Sequence, residues 1–211
     1  MGKKDQMIMV VKKEILLGAN YFQGFRLSNE FDYESIILNN FEYVRRGDAE
    51  EDLTHKQPIG YSLIINPSLK QVFAYQRSSQ DDKYAEKRLQ GKWSWGIGGH
   101  IEKVDMQVGN PIYESMKREL REEVSGLEKN PEIEVLGYMN DDKDAIGKVH
   151  FGILYVVKTN STILKPLDPE VETGKLKPIN ELEKICLSSK LTVEGWSKIA
   201  LNPLKKYLDN L

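Results

Sequence analysis

The spacing of apolar positions changes along this chain, and each change marks an element. Residues 7–13 (MIMVVKK) are a short apolar run that reads as a strand. Ile36, Ile37, Phe41 and Val44 recur at roughly helical spacing across 33–45, with Asn29 or Asp32 as the cap. Residues 46–57 are charged and read as a connector. A strand from Ile59 to Ile65, a turn at Asn66-Pro67-Ser68 and a return strand from Lys70 to Gln76 make 59–76 a hairpin. Residues 78–91 form a polar surface loop, and 93–101 a strand that runs into a glycine turn. After the loop 102–111, Pro111 suits the first turn of a helix. In that helix Ile112, Met116, Leu120 and Val124 repeat every four residues, a stripe that packs on a core. Strands 132–139 and 148–158 flank a polar loop at 140–147. An acidic, proline-containing loop at 165–178 leads to a short helix from Pro178 through Cys186. In 192–211, Val193, Trp196, Ile199, Ala200, Leu204, Tyr207 and Leu208 keep helical spacing, and Asn202-Pro203 should break or kink that helix. Strands placed before and after one key helix predict an α/β fold with a mixed sheet between helices.

Composition narrows the class. The 211 residues are 40% hydrophobic, enough for a sizeable core in one domain with additions. A net charge of −2 leaves no basic footprint, so no nucleic acid is expected as a partner. The lone Cys186 excludes an intramolecular disulfide and is compatible with a reducing compartment. No apolar run reaches the length of a membrane span, so no membrane association and a cytoplasmic location are expected.

The informative chemistry lies on the helix after the glycines. Glu119, Glu122 and Glu123 fall within an arc of about 100° on an α-helix. Like charges on one face repel and destabilise the helix. A hard divalent cation with oxygen ligands turns that repulsion into a binding site, and Mg²⁺, held by a few carboxylates, waters and phosphates, suits it.

This segment resembles the Nudix box, written Gly, five residues, Glu, seven residues, Arg-Glu-apolar-x-Glu-Glu-x-Gly-apolar. Arg118, Glu119, Leu120, Glu122 and Glu123 match its second half. The first half departs from it. Nineteen positions separate Arg118 from Gly99, where the pattern has fourteen, so about five residues are inserted. Asp105, Asn110 and Glu102 therefore all stand near the place of the first Glu. Ser125 replaces the closing Gly, which follows at Gly126, and the family's Pro-Gly-Gly turn reads Ile97-Gly98-Gly99.

The resemblance implies a Nudix-like α/β/α sandwich with a mixed sheet, covering 57–188. It leaves 1–56 as an N-terminal extension and 189–211 as a C-terminal helical segment. It implies a metal-dependent hydrolase that cleaves a diphosphate linkage in a nucleoside diphosphate derivative by water attack on phosphorus. Mg²⁺ or Mn²⁺ would be held by Glu119, Glu122 and Glu123, with the Gly99 carbonyl added by family analogy. Arg118 would orient the carboxylates. The general base would be Glu119 or a late-loop carboxylate, Glu170 or Glu172, with Glu172 preferred. Arg77, Arg88 and Lys92 are candidates for meeting phosphates, Trp95 for stacking on a base, and His100 for the pocket wall. The acidic loop Asp141, Asp142 and Asp144 reads as solvated. A homodimer is a further expectation, with Trp196 and the last apolar helix as candidates for its interface. The competing reading is a non-catalytic Nudix-like ligand-binding or regulatory module. An isopentenyl-diphosphate-isomerase-like enzyme is disfavoured, because its chemistry is expected to need a Cys near the turn and Cys186 lies in a late helix.

Overall fold

The structure is a computed structural model that describes residues 2–79, 89–143, 145–169 and 171–211. The chain opens with β1 (Met7–Lys12), the single turn α1 (Lys13–Leu16), β2 (Gly24–Leu27) and α2 (Tyr33–Asn40). Next come β3 (Glu42–Arg45), the turn α3 (Arg46–Ala49), β4 (His55–Asn66) and β5 (Gln71–Arg77). The short strand β6 (Trp93–Ser94) and a 3₁₀ helix, Lys103–Val108, precede α4 (Pro111–Glu123). Then follow β7 (Val124–Ser125), β8 (Glu132–Asn140), α5 (Ala145–Val149) and β9 (His150–Lys158). The chain closes with β10 (Lys165–Pro166), β11 (Val171–Pro178), α6 (Ile179–Leu187) and α7 (Gly195–Asp209).

The residues divide into two compact units, which do not follow the sequence order. The first takes in 1–61, 98–119 and 135–155. Its strands run in the order β4-β9-β8-β2. The N-terminal residues are woven in: β1 pairs antiparallel with β3 from Met7 to Val10, and with β4 at Val11 and Lys12. Ile8, Val10 and Ala49 are buried together with Val44 packed against them. That pairing corrects the expected helix over 33–45. The helix ends at Asn40, and Glu42–Arg45 is strand β3, because β1 offers a ladder that local spacing cannot reveal. Asp32 is the cap, its Oδ1 accepting from Ser35 N at 3.0 Å.

The second unit takes in 62–97, 120–134 and 156–211. The predicted hairpin is present, with Ile65 opposite Val72. β5 pairs on its other side with β11 from Val171 to Pro178. Most of 165–178 is thus strand and turn, where a loop was expected. β11 is an edge strand with half of its residues exposed and only Lys177 buried, so it lacks the apolar alternation that announces a strand. The C-terminal segment is laced to β6: Trp93 N donates to Thr192 O at 2.8 Å and Glu194 N to Trp93 O at 3.0 Å. α7 runs unbroken through Pro203, contrary to expectation. The proline removes one helix N–H, and the burial of Ala200, Leu201, Leu204 and Leu208 outweighs that loss.

The sheet is mixed. A Cβ on Gly60 would touch Tyr155 Cε2 at 3.5 Å, and Thr159 N donates to Ile65 O at 2.9 Å. Both contacts advance together along the chain, so β4 and β9 run parallel, while β4 and β5 are antiparallel. No described helix is long and apolar enough to cross a membrane.

Candidate active site

Helix α4 forms for reasons readable in its own residues. Asn110 caps it, its Oδ1 accepting from Ile112 N at 3.0 Å and Tyr113 N at 3.4 Å, and Pro111 takes the first helical position. Ile112, Met116, Leu120 and Val124 are all buried, as their four-residue spacing predicts. That packing turns the carboxylate face away from the core: Glu122 is exposed, and Glu119 and Glu123 are half-buried.

Arg118 is the hub. Its Nε donates to Asp105 Oδ1 at 2.9 Å and its Nη2 to Asp105 Oδ2 at 3.1 Å, a bidentate pair. Nη1 donates to Glu119 Oε1 at 2.6 Å, and Nη2 also reaches the His100 carbonyl at 3.0 Å. Burial alone would favour the neutral guanidine, but the Asp105 and Glu119 carboxylates more than offset it and hold Arg118 firmly protonated. Asp105, 5% exposed, also accepts from Glu102 N at 2.8 Å, which closes the 3₁₀ segment. The inserted stretch is thus an ordered helical turn anchored on the same arginine. Of the three residues near the first box position, Asp105 meets Arg118, Asn110 caps α4, and Glu102 accepts weakly from Gln6 Nε2 at 3.4 Å.

Gly99 lies against Glu119. A Cβ built on Gly99 would overlap that carboxylate, with Glu119 Oε2 only 2.6 Å away. Glycine is needed here for close approach rather than for backbone freedom. On Gly98 a Cβ would meet the Gly60 carbonyl instead, a backbone atom that cannot swing aside.

His100 follows, its Nε2 2.7 Å from Gln57 Oε1 and 3.4 Å from His150 Nε2. His150 Nδ1 donates to the Ile146 carbonyl at 2.7 Å. Burial pushes the His150 imidazole down to about 4, and burial with the neighbouring His150 holds His100 well below the usual range. Both rings are neutral at pH 7. An unfolded chain with an ordinary histidine near pH 6.5 takes up the proton first as pH falls. Stability is therefore present above about pH 6.5 and lost as pH drops toward 4. For His150 the loss between pH 7 and pH 5 is at most about 2 kcal/mol. Urea unfolding at the two pH values should show that decrease in the wild type and a smaller one in His150→Gln.

The remaining candidates lie elsewhere in the fold. Arg77 Nε is paired with Glu194 Oε1 at 2.7 Å, and its Nη2 donates to Tyr75 OH at 3.2 Å. Trp95 is 1% exposed, so its ring has no open face for a base, and its N–H has no hydrogen-bond partner among the described residues. Glu172 stands on strand β11, exposed, where the register shifts between Val171 and Thr173. Lys92 is half-buried, and its carbonyl accepts from Arg77 N at 3.0 Å. Arg88, Glu170 and Asp144 lie outside the described residues. Asp142 is tied down rather than solvated, accepting from the buried Lys56 at 2.6 Å and from Lys13 at 2.8 Å. Among the described residues no three His, Cys, Asp or Glu side chains converge as a metal-holding group, and Glu119 is turned toward Arg118.

The NUDIX domain family model matches residues 56–194. Protein YmaB of Bacillus subtilis (strain 168) is 33% identical over 217 positions, spanning 97% of this chain and 100% of that protein. The chain belongs to the Nudix family. The crystal structure of Tm1382 superposes with a TM-score of 0.76 at 27% identity, covering 98% of this chain and 100% of its own. The NUDIX domain of Shewanella oneidensis NrtR, complexed with ADP ribose, shares the fold alone, with a TM-score of 0.54 at 16% identity over 72% of this chain and 88% of that one. The protein is accordingly an enzyme of the Nudix hydrolase type, a class whose chemistry is hydrolysis of nucleoside diphosphate derivatives and whose members generally use divalent metals.

Within this Nudix box the two glycines should fail differently. Gly98→Ala forces backbone against backbone and should lower stability by about 1–3 kcal/mol. Gly99→Ala displaces only the Glu119 side chain, so activity should fall while the thermal midpoint moves less. Calorimetry beside a turnover assay checks both. Gln57 and His150 had no signature in the sequence; neither belongs to a motif, and only the folded chain brings them to His100.

Proposed function

We propose that this Nudix enzyme is a divalent-metal-dependent diphosphohydrolase acting on a nucleoside diphosphate derivative, with 57–188 as its catalytic domain and a cytoplasmic location. The observation that supports it most is the space beside Gly99, which the Glu119 carboxylate fills while Arg118 steers one of its oxygens. A surface helix with scattered charges has no need of a glycine at that contact or of a half-buried arginine clamped by two carboxylates.

Glu119, Glu122, Glu123 and the Gly99 carbonyl are all hard oxygen donors, which fit Mg²⁺ or Mn²⁺. The chemistry supplied there is charge neutralisation on diphosphate oxygens and a water of lowered pKa. Asp105 takes the part of the first box carboxylate: it holds Arg118, which in turn orients Glu119. Glu119 accepts the proton from the attacking water, and Glu172 is the second candidate for that task. Arg88 and Lys92 are proposed to meet substrate phosphates; Arg77 would first have to leave Glu194.

The test is product release from nucleoside triphosphates, dinucleoside polyphosphates, nucleotide sugars, ADP-ribose and dinucleotide cofactors, with Mg²⁺ or Mn²⁺. Metal-dependent turnover of a diphosphate is expected. Tight binding without turnover across the panel would favour the non-catalytic module instead.

A further inference from the structure

The ring of His100 ends a chain of hydrogen bonds that starts upstream of the matched family region. Gln57 is 1% exposed, and its Nε2 donates to the Ala49 carbonyl at 2.9 Å. Turning the amide over would set carbonyl against carbonyl, so Oε1 must face His100 Nε2, at 2.7 Å. Oε1 can only accept, so His100 Nε2 carries the proton. His150 donates its Nδ1 proton to the Ile146 carbonyl, which leaves its Nε2 an acceptor beside the same His100 nitrogen. Two backbone carbonyls, Ala49 and Ile146, thus determine the amide orientation and both tautomers.

The backbone of His100 is held as closely. Its carbonyl accepts from Arg118 Nη2 at 3.0 Å and from Ser115 Oγ at 3.3 Å. The next carbonyl, of Ile101, accepts from Met9 N at 2.8 Å, and Tyr43 OH donates to the Glu102 carbonyl at 3.3 Å. Met9, Tyr43 and Ala49 all belong to the N-terminal extension. The residue before His100 is Gly99, pressed against Glu119.

We propose that Gln57, seated on the Ala49 carbonyl, is a positioning residue for the Gly99-His100 turn. By locking the His100 ring it fixes the Gly99 carbonyl relative to Glu119. The N-terminal extension thereby sets metal affinity without touching substrate. This rests on the metal site proposed above.

The test is Mn²⁺ binding to the full chain, read from the electron paramagnetic resonance signal of free Mn²⁺, with thermal midpoints measured alongside. Wild type should bind and Glu119→Gln should not. Gln57→Met and His100→Leu should each weaken binding about 10-fold or more, the size typical of losing a partner that orients a ligand. The double variant should bind no more weakly than the worse single, because one linkage is broken twice. His100→Gln, which keeps a donor nitrogen for Gln57, should stay within about twofold of wild type. Wild-type affinity in a folded Gln57→Met overturns the proposal, as do losses that add in the double variant. If Gln57→Met does not fold, equal binding by His100→Gln and His100→Leu overturns it. A wild type that binds no Mn²⁺ overturns the metal site and this proposal together, whereas intact binding lost only in Glu119→Gln leaves the site standing and removes the proposal.

Discussion

Glu122→Gln should lower metal-dependent turnover by about 10³-fold and leave the thermal midpoint unchanged or slightly raised. The side chain is exposed on α4, opposite the buried stripe, so the isosteric replacement leaves the helix's core face intact. It also removes one of three carboxylates sharing a helix face, and like charges at such spacings cost about 0.2–0.5 kcal/mol per pair. As a ligand, the same group contributes to several kcal/mol of charge stabilisation in the transition state, and about 4 kcal/mol corresponds to 10³ in rate. A charged but idle surface residue would give the opposite outcome, with rate intact. Steady-state kinetics with Mg²⁺, beside a thermal scan, separates the two.

Asp105→Ala should be the most destabilising single change near the site. Asp105 is buried, accepts both hydrogen bonds of the Arg118 fork and one from the Glu102 amide. Its removal takes both fork bonds from the half-buried Arg118, which keeps Glu119 and the His100 carbonyl, and the acceptor from the Glu102 amide, together about 3–5 kcal/mol. At about 2–4 °C per kcal/mol for a chain of this size, the midpoint should drop by roughly 6–20 °C. Without the Asp105 fork Arg118 is held less firmly and orients Glu119 less well, so metal affinity should fall about 10–100-fold as well. Asp105→Asn keeps an acceptor and should cost less. A midpoint unchanged in Asp105→Ala would mean that the inserted segment is not anchored as described.

The elements that local spacing announces are the ones it places correctly. The hairpin at 59–76 and helix α4 follow from short-range periodicity, a turn and a cap, and the structure has them there. The errors share a cause in long-range pairing. Val44 has helical spacing from Ile37 yet lies in β3, because β1 pairs with it. β11 reads as a loop because an exposed edge strand carries little apolar signal. α7 survives Pro203 because four buried side chains hold it. The site divides in the same way. Arg118, Glu119, Glu122 and Glu123 stand in one helix and are legible together. Asp105, Asn110 and Glu102 stand as alternatives in the sequence, since an insertion breaks any counting argument, and the contact of Asp105 with Arg118 is visible only in the fold. Gln57 and His150 come from distant strands, and nothing in their neighbours marks them.

The most direct test of the account is cleavage of a nucleoside diphosphate derivative in ¹⁸O-labelled water, with and without Mg²⁺, by wild type and Glu122→Gln, with products read by mass spectrometry. The account predicts one ¹⁸O on a phosphate product, formed only with metal and lost in the variant. Cleavage that persists without metal or in Glu122→Gln, or product without label on phosphate, would contradict it.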